Sequence, residues 1–169
     1  MKKFNLLALL GLFVGLMAFT SCSNSDDDAN DAGDVSIVGN WNYQRTIKNQ
    51  HMSVKIEAIL QLKGDNTFAL TVQDRRSLSQ EQDTYVERSG SDYQGEYVYV
   101  GEKLTLSIKQ KRSYHYNQNT QMGEWGEWNT YEEVREGTAK LSAHELVVNA
   151  NEFDMWWAEA EGDLVTFKR

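Results

Sequence analysis

Proline is absent and cysteine occurs once in 169 residues. The lack of proline excludes proline-rich linkers and cis-proline turns. A lone cysteine excludes a disulfide framework within the chain and any cysteine-rich zinc site. Basic residues are the minority, 17 against 25 acidic ones, for a formal net charge of −8. A nucleic-acid backbone needs a cationic surface, so no nucleic-acid partner is expected. No apolar run reaches the ~20 residues of a membrane-spanning helix. The longest, residues 6–19, is 14 apolar or glycine positions. That length fits the h-region of a signal peptide.

The chain also lacks the common catalytic motifs. His51, His115 and His144 fall in three different segments. His144-Glu145 opens like a zinc-protease helix, but Val148 stands where the second histidine belongs. Ser89-Gly90-Ser91 has no flanking glycines for a nucleophile elbow, and no phosphate-cradling glycine loop ends in Lys-Ser or Lys-Thr. Paired glutamates for glycoside hydrolysis stay open as an alternative. In a small acidic domain such carboxylates more often form a solvated outer face. The expectation is a non-enzyme with no cofactor and no metal.

Lys2 and Lys3 precede the apolar run, and Phe19-Thr20-Ser21-Cys22 follows it. Small residues directly before the lone cysteine resemble the lipobox of bacterial lipoproteins. The resemblance implies cleavage before Cys22, a diacylglyceryl thioether on its sulfur and an acylated amino terminus. Each buried methylene then contributes about 0.8 kcal/mol to membrane anchoring. An ordinary secretory signal with an incidental cysteine is the alternative. Ser25, Asp26, Asp27 and Asp28 resemble the surface-export signal of Bacteroidetes lipoproteins. This implies the outer face of the outer membrane. A plain acidic tether, leaving the protein on the periplasmic face, is the other reading. The three aspartates lack the alternating spacing of a calcium loop. The expected organisation is a signal at 1–21, a flexible tether at 22–35 carrying Cys22, and one folded domain at 36–169. Losing the signal removes two lysines and no acid, so the mature chain is more acidic still.

From residue 36 onward the pattern is strand-like. Val54, Ile56, Ala58, Leu60 and Leu62 share one face of a period-two segment, and mostly polar residues share the other. Gly64-Asp65-Asn66 supplies turn residues that tolerate positive φ. Phe68, Leu70 and Val72 then alternate back, making a hairpin. Leu104, Leu106 and Ile108 repeat the pattern after a turn at Gly101. Eight segments are expected: 37–46, 54–63, 67–73, 84–100 with a bend at 89–91, 104–116, 127–139, 145–149 and 164–168. Residues 117–126 read as a long hairpin loop. The expected class is all-β, an antiparallel up-and-down barrel of about eight strands, with a β-sandwich as the alternative.

Val38-Gly39-Asn40-Trp41 resembles the Gly-x-Trp opening of lipocalins and related calycins. Gly95-Glu96-Tyr97, Leu104-Thr105-Leu106 and the stretch from Leu141 to Val147 resemble lipocalin-like domains of Bacteroidetes lipoproteins. The resemblance implies that Trp41 plugs one end of the barrel and that Lys168 or Arg169 packs across it. It also implies a small, partly apolar ligand in the barrel mouth.

Aromatics supply the candidate contacts. Trp125, Trp128 and Tyr131 cluster in one stretch, Trp156-Trp157 forms a pair, and Tyr97 and Tyr99 alternate with valines. In one continuous strand Trp125 and Tyr131 share a face and Trp128 opposes both. Three uses are open: barrel filling, a glycan or protein contact, and the lining of an apolar cavity. The leading expectation is ligand binding in the barrel. A glycan- or protein-interaction module with a filled core is the rival.

Overall fold

The computed structural model describes residues 35–48, 50–77, 87–158 and 163–169, without the Trp156 side chain. The signal, Cys22, Ser25, Asp26, Asp27 and Asp28 lie outside the described residues, as does the tether up to residue 34. Gly33–Arg169 is one compact unit. Its apolar core runs from Ile37 to Phe167, so the barrel carries its own core.

Among the described residues nine strands follow in order: β1 Gly39–Lys48, β2 Ser53–Leu62, β3 Thr67–Ser77, β4 Glu87–Val100, β5 Lys103–Asn117, β6 Met122–Trp125, β7 Asn129–Leu141, β8 Glu145–Asn149 and β9 Leu164–Lys168. All pair antiparallel. β1, β2, β3, β4, β5, β7, β8 and β9 close into an eight-stranded up-and-down barrel, and β6 is an extra strand on β5. Closure, not a sandwich, resolves the sheet edges.

Period-two patterning sets what faces inward. Ile56, Ala58, Leu60 and Leu62 of β2 and Phe68, Leu70 and Val72 of β3 are buried. Tyr97 is 5% exposed while Val98 and Val100 are 60% and 71% exposed, so the tyrosines of β4 face inward. The β2–β3 turn follows from its residues. Asn66 takes φ +64°, and the Asp65 carboxylate accepts bonds from the Thr67 amide (3.0 Å) and hydroxyl (2.6 Å). Those bonds hold the Asp65 carboxyl below its ordinary range.

Three local expectations are corrected. β4 runs unbroken through residues 89–91; the irregularity falls at Gln94/Gly95, opposite Gln110 and Ile108. A Cβ on Gly95 would overlap the Ser107 carbonyl, so only glycine fits this bulge. Residues 117–126 are not one loop: β6 pairs Met122–Trp125 with the far end of β5. β7 starts at Asn129 rather than 127, because Gly126, Glu127 and Trp128 break the line between β6 and β7.

The barrel wall is uneven. β8 pairs with β7 only over Ala139–Leu141, and β9 pairs with β1 only at Lys168 and Asn42. Among the described residues no strand therefore lies between the outer halves of β1 and β7. The connection after β8 fills this side with buried Phe153, Met155, Trp157 and Ala158; the last two belong to the 3-10 turn Trp156–Ala158.

Candidate functional site

The two ends of the barrel differ. At the end holding Gly39, Trp41 is fully buried and its indole nitrogen donates to the Ile37 carbonyl at 2.8 Å. The Arg169 guanidinium lies 4.4 Å from the centre of the Trp41 ring. Lys168 instead approaches Glu145. Tyr97 and Tyr99 belong to the same end. Their hydroxyls donate to the carbonyls of Lys63 (2.8 Å) and Ala139 (3.2 Å), and burial raises both phenol pKa values. These side chains brace strands and do not line the cavity described next.

The opposite end holds a cavity of about 570 Å³. One wall is apolar: Ile47, Met52, Val54, Ile56, Val72 and Trp157. Trp157 packs edge-on against Tyr43 at 5.6 Å, which fixes its ring as the cavity's inner boundary. The facing wall, from β3, β4 and β5, is polar: Asp74, Arg76, Ser89, Ser91, Ser113 and His115. Here the inward positions change from apolar to polar. Val72 gives way to Asp74 and Arg76, and Tyr93 gives way toward the rim to Ser91 and Ser89. Small polar side chains replace large apolar ones, so the barrel is filled at one end and hollow at the other.

The charges on this wall satisfy one another. Arg76 Nε donates to Asp74 at 3.2 Å, and its Nη1 lies 3.6 Å from Glu87. The Ser89 hydroxyl donates to the second Asp74 oxygen. Deeper in the barrel, the Tyr93 ring has Lys111 at 5.2 Å and Arg135 at 5.3 Å. Lys111 also lies 5.3 Å from the Tyr131 ring. Arg135 donates to both oxygens of Glu133, at 2.9 and 3.2 Å, and to the Phe153 carbonyl. Arg135 thereby lowers the Glu133 pKa. Burial works against the Arg135 charge, but the Glu133 bonds prevail and its pKa is raised.

The aromatic cluster does not form a single strand face. Tyr131 faces inward, and its hydrogen bond with Glu133 raises its pKa. Trp125 ends β6 and Trp128 is the last residue of the break, so both reach the same outer patch. Arg112 sits between them, 4.9 Å from the Trp125 ring and 4.7 Å from the Trp128 ring. The expected opposition of Trp125 and Trp128 is thus corrected: two-residue alternation resets across the break. Arg112 also holds the buried Asp92 carboxylate through Nε and Nη2, both at 2.7 Å. Trp128 remains 36% exposed. Of the aromatics picked out in the sequence, Trp157 alone lines the cavity; the Trp156 side chain lies outside the described residues.

Sequence reasoning missed Ser89, Ser91, Ser113, Asp74 and Arg76. The signal was present as the loss of apolar character on inward positions beyond Val72 and Ile108. Asp74 is the sole carboxylate among the described lining residues, and no group of three or more metal-binding side chains occurs among the described residues. No family model matches the chain, and no curated protein matches it.

Proposed function

We propose that this protein is a lipid-anchored bacterial surface lipoprotein whose barrel binds a small, partly apolar molecule without catalysis. The observation that carries the reading is the cavity of about 570 Å³ with one apolar and one polar wall. Its size falls within the ~300–1,000 Å³ usual for small-molecule sites. The lipobox-like Thr20-Ser21-Cys22, the Ser25–Asp28 run and the lipocalin-like Gly39-Asn40-Trp41 support the anchoring and carrier parts. Asp74, the one carboxylate among the described lining residues, is already bound by Arg76 and Ser89, which favours binding over paired-carboxylate hydrolysis. The rival reading, a glycan or protein contact through Trp125 and Trp128, is less supported, because Arg112 occupies both rings.

Native mass spectrometry of the unit beginning at Asp31, produced in cells, tests the carrier reading. The expected result is an added mass that leaves on denaturation. A bare mass after exposure to cell-lysate lipids would overturn it and favour the outer aromatics.

A further inference from the structure

We infer that the occupant of the cavity is an uncharged amphiphile, a hydrocarbon body with a neutral hydroxyl- or carbonyl-bearing head. The inference rests on the carrier reading above and names the class of its ligand.

Ser91 and Ser113 are partners across β4 and β5, and both line the cavity. Neither hydroxyl has a hydrogen-bond partner among the described residues. Each offers one donor and two acceptor positions to a guest. The paired hydroxyls face the apolar wall and therefore mark where a polar head would sit.

Charge decides what kind of head. An ionised carboxylate needs an uncompensated cation when it leaves water. Arg76 is the one lysine or arginine among the described lining residues, and Asp74 and Glu87 already flank it. An incoming anion meets the repulsion of both carboxylates beside that single cation. Lys111 is not among the lining residues; its ammonium rests against Tyr93 and Tyr131. A cationic head fares no better, because Asp74 is bound by Arg76 and Ser89. His115 adds a further hydrogen-bonding ring to the same wall. A neutral head uses the free hydroxyls and disturbs none of these pairs.

The test compares three probes of equal chain length: dodecanol, dodecanoate and dodecylammonium. Each competes with an apolar fluorescent dye for the Asp31–Arg169 unit at about pH 8, where the acid is ionised. Dodecanol should bind at least about tenfold more tightly than either ion. The double variant Ser91→Val/Ser113→Val should lose about tenfold for dodecanol. Equal or tighter binding of either ion overturns the inference and leaves the carrier reading standing. Binding of neither dye nor any probe overturns both. The wild-type ranking decides the matter even if the double variant fails to fold.

Discussion

Arg169 lies across the ring of Trp41 at 4.4 Å while its Nη2 donates to the carbonyls of Ser36 (2.8 Å) and Val38 (2.7 Å). One side chain near the last strand thus ties down the segment that leads into β1. It does so where β1 and β9 share a single paired position, so the contact reinforces the thinnest seam of the barrel.

Arg169→Ala should therefore destabilise the barrel by about 1–2 kcal/mol, the sum of an exposed cation–π contact and modest hydrogen bonds. Arg169→Lys should recover only part of this, since an ammonium cannot stack its plane on the indole. Gly39→Ala should act in the same direction, because a Cβ there comes within 2.9 Å of the guanidinium. Thermal unfolding reads all three. Ligand affinity should stay unchanged, because the cavity is at the other end.

Gly95 and Gly64 make a matched pair. A Cβ at Gly95 overlaps the Ser107 carbonyl in the bulge, whereas one at Gly64 meets nothing within 4 Å. Gly95→Ala should cost about 3 kcal/mol through forced backbone movement. Gly64→Ala should stay within roughly 0.5 kcal/mol of wild type. Urea unfolding of both variants checks the contrast; equal effects would contradict the close approach.

The outer clamp calls for a double-mutant cycle. Asp92 is 6% exposed; one carboxylate oxygen takes both bonds from Arg112 and the other has no hydrogen-bond partner among the described residues. Arg112→Gln strands that buried carboxylate and should cost about 3 kcal/mol. Asp92→Asn combined with Arg112→Gln should cost less than the sum of the single changes, since no charge is left behind. The Arg112→Gln change should also shift the indole fluorescence of Trp125 and Trp128.

Much of the barrel was legible because burial on one face leaves a period-two trace. Residues 54–72 and 104–108 carry it cleanly, and both hairpins follow. β6 left no such trace: it is four residues long, three of them exposed, and it forms because β5 extends past β7. The glycine at the bulge was visible, but its need is a contact with Ser107, distant in sequence. The site was harder to read because it is made of small inward side chains. Ser89, Ser91 and Ser113 look like solvated strand residues until closure turns them toward a common space. Of the large aromatics, Tyr97 and Tyr99 bond to strand carbonyls, Trp125 and Trp128 flank Arg112, and Trp157 lines the cavity.

The Glu133–Arg135 pair gives the fold a pH dependence. The Glu133 pKa is lower in the folded barrel than its ordinary value. Such a carboxylate stabilises the fold above its unfolded pKa, and this contribution is lost as pH falls through the folded value. Stability should therefore drop as pH falls below about 4.5. The Asp65 and Glu136 pKa values are lowered too, so both act in the same direction. The informative quantity is the difference between wild type and Glu133→Gln. That variant should be less stable by roughly 1.5–3 kcal/mol near neutrality, and the gap should close in acid. A pH-independent gap would assign the loss to packing alone.

Filling the cavity separates binding from folding. Val72 lies inward on β3 between Ala58 of β2 and Ser91 of β4, and lines the cavity. Val72→Phe adds apolar volume where the barrel is hollow and touches none of the Asp74, Arg76 or Glu87 charges. Overpacking costs about 1–3 kcal/mol when no space exists, whereas space of about 570 Å³ accommodates a ring. The variant should unfold at or above the wild-type temperature, since it buries more apolar surface, and should lose dye binding by about tenfold or more. Stability and affinity moving in opposite directions is the signature of an occupied void. A variant that instead unfolds early with unchanged dye affinity would place the dye elsewhere, and the outer patch around Trp128 would be the next surface to probe.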